Sequence, residues 1–347
     1  MGTGYSTAAM NEPSRCDVVA IAFGPEKAAS VRYRLLQFLP FLERQGVGVR
    51  VVFPAELERQ RRAGGPLVPA GARVCWIQKK LLPRRLVGRL ARSHRLVFDF
   101  DDAIWTSEKG PRSFVARWRT RARLHYTLRR SALVLAGNDY LADYARRHAA
   151  QVRVIPTVLD TGRYRTKVHA PRDVVTLGWI GHSMNFRYLR DLAPALRRLA
   201  ASRPVRLLVV ADQPFGLEGL EVENRAWSEA RETADLLDMD IGLMPLADDE
   251  WTRGKCAFKA IQYMAAGVPP VASDVGANRQ LVDPGQDGFL ASTEQQWFDA
   301  MDRLAADADL RARLGRTARA KVEAGYSLQR TGPIVAQLFT DLLREPA

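Results

Sequence analysis

Two stretches of this sequence carry residue types at spacings suited to chemistry. The first is Leu96-Val-Phe-Asp-Phe-Asp-Asp-Ala-Ile-Trp105, an apolar run that ends in three acids, Asp99, Asp101 and Asp102, within four positions. Acids so placed could bind a metal, orient a substrate hydroxyl or act as a general base. The plainer alternative is that Asp99 faces a sheet in a salt bridge while one of the other two caps the next helix. The second stretch is Arg253-Gly-Lys-Cys-Ala-Phe-Lys259, three cations around a glycine, read as the opening of a helix near Gly254. A glycine there lets a ligand approach the backbone. Free N–H groups and the positive end of the helix dipole favour an anion. Lys255 and Lys259 would lie one turn apart on a common face. The outline is that of a diphosphate site, and a solvated basic helix end accounts for the same residue types equally well.

The elements that must position these residues are legible as short apolar runs separated by longer helical patterns. They fall at 18–23, 47–53, 74–77, 96–100, 133–136 and 152–155 in the first half, and at 174–180, 205–211, 220–223, 241–246, 270–273 and 289–291 in the second. The runs are rich in Val, Leu and Ile and do not alternate strictly, as strands buried on both faces do not. Alternation with helices predicts α/β structure with parallel sheets wound on both sides. Twelve strands exceed what one twisted sheet usually holds, so two six-strand units are expected. The boundary is expected within 157–171, giving domains 1–164 and 165–331. A last amphipathic helix is expected over 329–343, with 332–347 packing back on the first domain. In such sheets ligands lie beyond the carboxyl ends of the strands.

The 347 residues hold 52 Lys+Arg against 38 Asp+Glu. The excess is confined to the first half: residues 1–164 carry 29 Lys+Arg and 13 Asp+Glu, and residues 165–347 carry 23 and 25. Such asymmetry suits contact with something anionic. The charge has an address. Residues 79–95 contain seven Lys/Arg and no acid, with Leu82, Leu86 and Leu90 at helical spacing. Residues 110–130 contain seven Arg and no acid, with Phe114 and Trp118 one turn apart. Basic helices with a modest apolar face suit an anionic membrane surface; the alternative is a plain solvated face. Cys16, Cys75 and Cys256 are far apart and make no metal-ligand spacing with the five histidines, which predicts a reducing compartment and no structural zinc. No apolar run approaches the ~20 residues of a membrane span, and residues 1–16 lack the pattern of a signal peptide. Gly2 and Ser6 match the short myristoylation pattern, which chance explains better in a tail of small residues. The expectation is a cytoplasmic protein, peripheral at the inner face of a membrane.

The stretch Met264-Ala-Ala-Gly-Val-Pro-Pro-Val-Ala-Ser273, preceded by the run at 241–246 and followed by Gly276, resembles the retaining nucleotide-sugar glycosyltransferases of the GT-B fold, the large family-four group. Val174-Val-Thr-Leu-Gly-Trp-Ile-Gly181 resembles the first strand of that family's donor domain, and Asp283-Pro-Gly-Gln-Asp-Gly-Phe-Leu290 its late turn. Tyr326-Ser327, Arg32-Tyr-Arg-Leu35 and Ala136-Gly-Asn-Asp-Tyr-Leu141 extend the resemblance over nearly the whole chain. It implies two Rossmann-like domains facing across a cleft. The second domain would hold a nucleotide-diphosphate sugar and the first an acceptor, with retention of configuration and no required metal or cofactor. It also exposes departures. The family's two glutamates, eight positions apart, fall here on Gly254 and Gln262. Gln262 can still hydrogen-bond a ribose hydroxyl as a neutral group, and Asp248, Asp249 or Glu250 would replace the first glutamate. His182 stands at the usual arginine position, Arg187 matches the usual lysine by spacing only, and Arg253, Lys255 and Lys259 would take over the leaving diphosphate.

The expected function is therefore transfer of a sugar from a nucleotide-diphosphate sugar to a lipid-linked or envelope glycan. Asp101, Asp102 and Glu250 are the catalytic candidates. Gly181, His182, Arg187, Arg253, Gly254, Lys255, Lys259 and Gln262 are the donor-binding candidates. A nucleotide-sugar epimerase of the same fold, a non-catalytic relative lacking both glutamates, and a nucleic-acid binder are the alternatives. The last fits the charge but leaves the donor-loop pattern unused and has no recognition motif, so no nucleic-acid partner is expected.

Overall fold

The computed structural model describes residues 15–63, 68–69, 71–107 and 113–345. The Gly2–Ser6 pattern and the start of the second basic stretch, 110–112, lie outside the described residues. By internal contacts the chain forms two compact units. One comprises the chain up to Val158 with Gly254–Cys256 and the segment from Leu328 onward; the other comprises Leu159–Arg253 and Ala257–Ser327.

The first unit holds strands β1 (Val18–Ile21), β2 (Val49–Val52), β3 (Val74–Gln78), β4 (Arg95–Phe100), β5 (Ser131–Ala136) and β6 (Val152–Val154), ordered β2-β1-β3-β4-β5-β6. The second holds β7 (Val175–Ile180), β8 (Val205–Ala211), β9 (Glu221–Ala226), β10 (Ile241–Met244), β11 (Pro270–Ser273) and β12 (Phe289–Ala291), ordered β12-β11-β10-β7-β8-β9. Each apolar run of the sequence forms a strand, and every pairing is parallel. All carboxyl ends of a sheet therefore lie along one edge. Strand order reverses between β1 and β3 in the first sheet and between β7 and β10 in the second, and such points open a crevice for ligands. β9 extends three residues beyond its apolar run. It is a partly exposed edge strand, so Asn224 and Arg225 can sit in it without an apolar signal.

Burial follows the period of two expected of strands. In the first sheet Val18, Ala20, Trp76 and Val97 face one core, and Val19, Ile21, Ile77 and Phe98 face the other. The first core is closed by helix Leu328–Arg344, which buries Leu328, Val335, Phe339 and Leu342 there; Phe339 packs its ring 4.8 Å from that of Trp76. Leu82 and Leu90 are buried in the second core, and Leu86 packs against it. The apolar stripe of 79–95 is thus turned inward, correcting its reading as a membrane-facing stripe: the parallel sheet needs cover on both faces, and helix Arg84–Ser93, with Leu82 just before it, supplies it on this one.

One ion pair is sealed within the first unit. Arg34 Nε donates to Asp99 Oδ1 at 3.0 Å, and Arg34 also donates to the carbonyl of Ile155. Burial pushes the Asp99 carboxyl up to about 6, against the pull of Arg34. A carboxyl raised from 3.8 in this way keeps its proton longer in the folded chain. Its contribution to stability is therefore greatest below that value and is lost as pH rises to about 6.

Two outcomes follow from this packing. Phe339→Ala should destabilise the first unit by about 3–5 kcal/mol, read as a lowered urea midpoint. Arg34→Met strands a buried carboxylate, which should cost about 3–5 kcal/mol at pH 8 and distinctly less at pH 5. Urea titrations at the two pH values check this, and adding Asp99→Asn should remove the pH dependence of the defect.

Candidate functional site

In the second unit the candidate site is built at the reversal between β7 and β10. Helix Phe258–Ala265 lies over this edge and is fastened there by Tyr263. The Tyr263 hydroxyl accepts from the N–H of Ile180 on β7 and donates to the carbonyl of Leu243 on β10, both at 3.1 Å. The ring can lie this close only because position 242 is glycine; a Cβ there would stand 2.3 Å from Tyr263 Cγ. One turn earlier, Lys259 crosses the end of β7. A Cβ on Gly181 would lie 2.6 Å from Lys259 Cε, and the ammonium sits 5.4 Å from the centre of a Trp179 ring. Gly181 and Lys259 are therefore in contact, and Gln262, on the next turn, is buried.

The remaining second-unit candidates are more dispersed. His182 Nδ1 accepts from the N–H of Met184 at 3.2 Å, and its Nε2 lies 3.5 Å from Asp212 Oδ2 at the end of β8. Burial acts to raise the Asp212 carboxyl, but hydrogen bonds from the Ser183 N–H and hydroxyl outweigh it and hold the group below its usual range. Arg187 lies over the ring of its neighbour Tyr188. Arg253 Nε pairs with Asp248 at 2.6 Å. Asp249 accepts from the N–H of Thr252, and Glu250 opens the short helix Glu250–Arg253. A cavity of about 370 Å³ is lined by Leu246, Asp248, Ser273, Asp274, Thr293 and Trp297 among others; of the acids proposed for the first glutamate's role, Asp248 faces it.

In the first unit the acids after β4 meet a cation from the basic stretch 79–95, which the sequence assigned to an anionic membrane surface. Lys79 directly follows β3 in a left-handed conformation, φ 54°. Its N–H donates to the Asp99 carbonyl at 2.6 Å, and its ammonium contacts Asp101 Oδ1 at 3.1 Å and also Asp102. Burial raises Asp101, but Lys79 and Arg34 more than offset it and hold the carboxyl below the usual range. For Asp102 burial prevails, with the charge of Asp101 adding to it against Lys79 and Lys255, so that carboxyl lies above its usual range. The surroundings thus shift these adjacent acids in opposite directions. Among the described residues no group of three or more His, Cys, Asp or Glu is arranged to hold a metal ion.

Gly254 and Lys255 belong to this first-unit cluster, not to a helix opening. Asn138, the cap of helix Asp139–Arg146, donates to the carbonyls of Gly254 and Lys255 at 3.2 and 3.0 Å. Cys256 donates its thiol to the Asp101 carbonyl at 3.3 Å, and burial raises that thiol, keeping it protonated. The expected helix near Gly254 begins instead at Phe258, after Ala257 at φ 53°. Lys255 and Lys259 consequently share no helical face. The close approach that Gly254 permits is taken by the chain itself: a Cβ there would stand 2.6 Å from the N of Ala103. Lys79 and Tyr263 are the site residues that the sequence did not single out, whereas Asn138 falls among those beyond a strand's carboxyl end, where ligands are expected. Lys79 and Asn138 do carry a signal, because each directly follows a strand end or its glycine.

Residues 171–307 match the family model described as Glycosyl transferases group 1. The chain is 29% identical over 209 residues to the D-inositol 3-phosphate glycosyltransferase of Stackebrandtia nassauensis, covering 51% of this chain and 46% of that protein. It is 27% identical over 180 residues to the N-acetyl-alpha-D-glucosaminyl L-malate synthase of Bacillus anthracis, covering 47% and 45%. The chain thus spans about half the length of the curated relatives it matches. In fold it is similar to sucrose-phosphate synthase from Thermosynechococcus elongatus, with a TM-score of 0.72 at 15% identity, over 94% of this chain and 99% of that one. It is similar also to Anabaena Alr3699/HepE, solved with UDP and glucose, with a TM-score of 0.67 at 15% identity, over 93% and 99%. The segment that supplies Gly181, Gly242, Lys259 and Tyr263 lies within the stretch that matches the group 1 glycosyl transferase model, set in a chain of two parallel six-strand sheets whose fold matches that of GT-B glycosyltransferase structures.

Proposed function

We propose that this protein transfers a sugar, with retention of configuration, from a nucleotide-diphosphate sugar held by the second unit. The observation that carries this reading is Lys259 on Gly181 at the β7/β10 reversal, inside the matched domain. A cation on the first turn of a helix, beside a strand end without a side chain, suits a diphosphate whose negative charge grows as the sugar leaves. The binding of UDP and glucose by the Anabaena protein, and of ADP by the starch synthase IV of Arabidopsis thaliana, supports a nucleoside diphosphate as the leaving group. His182, Arg187 and Arg253 are proposed to line the donor, Gln262 to meet the ribose, and Glu250 to stand for the absent glutamate.

The acceptor is proposed to meet the first unit through Asp101 and Asp102. Lys79 contacts both carboxylates, the charge of Lys255 acts on Asp102, and Asp101, which stays ionised more readily, can accept a hydroxyl hydrogen bond. The basic excess of this unit favours a lipid-linked or envelope glycan reached at an anionic membrane surface. No metal or cofactor is assigned to the reaction, and no nucleic acid to the basic surface. Among the described residues no helix is long and apolar enough to cross a membrane.

Calorimetry with UDP, ADP and GDP, and with their sugars, tests the donor assignment. One diphosphate should bind, and Lys259→Ala should weaken it at least about tenfold, in keeping with loss of a charge-assisted contact. The corresponding nucleoside should bind both forms equally. Unchanged diphosphate affinity in Lys259→Ala would sink the donor site. Asp101→Asn and Lys255→Ala should instead lower turnover by about tenfold or more while leaving diphosphate affinity within about twofold, measured by release of nucleoside diphosphate during transfer.

A further inference from the structure

Helix Phe114–Arg130 is built in two parts. Its second half is anchored through Leu124, Thr127 and Leu128, which are buried in the first unit. None of its first nine residues is buried, and these include large apolar side chains: Phe114 is 84% exposed, Trp118 62% and Val115 54%. Phe114, Trp118 and Ala122 follow one another at turn spacing, with Arg117 and Arg121 alongside. Together with His125 they line an open hollow of about 350 Å³. Ser113 caps the helix by accepting from the Ala116 N–H, so the first turn is ordered up to the exposed rings.

We propose that residues 114–122 are a docking element for an anionic lipid bilayer. Phe114 and Trp118 enter the headgroup region, and Arg117 and Arg121 receive lipid phosphates in the hollow between them. This deepens the membrane-facing part of the proposed function and rests on that part alone, not on the donor assignment. Charge complementarity names the occupant: the helix carries six Arg and no acid. Rings and arginines on neighbouring positions match an interface that is apolar on one side and anionic on the other. The same segment has only Thr120 as a neutral polar side chain, so it presents little with which to read a base edge. The other basic stretch is not equivalent, because Leu82 and Leu90 are spent on the core and Lys79 on Asp101 and Asp102.

The test is co-sedimentation of the full chain with phosphatidylcholine vesicles, with and without phosphatidylglycerol. The wild-type chain should partition strongly only to the anionic vesicles. Phe114→Ser with Trp118→Ser should reduce that partition at least about tenfold, and Arg117→Gln with Arg121→Gln about thirtyfold, at roughly 1 kcal/mol for each near-surface arginine. Arg85→Gln with Arg89→Gln should change it less than either pair. In a second measurement, Trp118→Phe should keep binding but lose most of the fluorescence quenching by brominated lipids seen in the wild-type chain. The proposal is overturned if the aromatic pair variant, folded by circular dichroism, partitions like wild type, or if quenching is unchanged in Trp118→Phe. It is equally overturned if these variants lose affinity for a single-stranded oligonucleotide while vesicle binding persists. Nucleoside diphosphate affinity, measured on the same variants, should be unaltered, so that failure here is distinct from failure of the donor site.

Discussion

A carboxylate taken out of water must meet a cation or several N–H groups at contact distance, and both units are organised around that constraint. In the first, Asp99 lies sealed at the end of β4 and is answered by Arg34 from a helix 65 residues earlier. Arg34 in turn reaches the carbonyl of Ile155, so one guanidinium joins the end of β4 to the chain just beyond β6. The backbone of Asp99 receives the N–H of Lys79, which places the Lys79 ammonium against Asp101 and Asp102. In the second unit Asp240 is buried just before β10. It is answered by Lys167 at 3.1 Å and by the N–H of Thr176 at 2.9 Å. The carboxyl end of β4 and the amino ends of β7 and β10 are therefore held by charge pairing that water screens very little.

The second unit adds a different kind of constraint, the absence of side chains where others must pass. Gly242 makes room for the Tyr263 ring, and Gly181 for Lys259 beside Trp179. Arg319 closes the far end of the same helix by donating to the carbonyl of Ala265, and it also takes the carbonyls of Thr161 and Tyr164. The helix that presents Lys259 is thus fastened at its middle by a phenol and at its end by a guanidinium. Little conformational freedom remains to be lost when an anion binds there, which is the benefit of a preorganised site.

The opposed shifts of Asp101 and Asp102 arise from the same crowding. Two adjacent carboxylates share one ammonium, and the one that also feels Arg34 is the one that stays ionised more readily. Lys255 enters this arrangement because Asn138 holds its carbonyl, and that of Gly254, through a single amide. The motif that read as one cationic helix end is therefore split. Gly254–Cys256 serves the acids of the first unit, and Lys259 serves the strand end of the second.

What the sequence determined by itself is what local pattern encodes: all twelve strands, their parallel winding, the last helix, and the contact partners Gly181 and Lys259 as separate candidates. Buried strands need unbroken apolar runs, and that requirement is written within six or seven residues. For Asp99 the sequence offered a sheet-facing salt bridge only as the plainer of two readings, and the structure places the acid there, paired with Arg34. Only the tertiary structure decided which cation answers which acid, that Leu82 and Leu90 face inward while Phe114 and Trp118 face outward, and that the helix begins at Phe258 rather than near Gly254. Each of these depends on a partner far away in the chain: Asn138 lies 116 positions from Gly254, and Cys256 lies 155 from Asp101. Helical spacing says which residues share a face. What covers that face is set by packing between distant segments, and no local period records it.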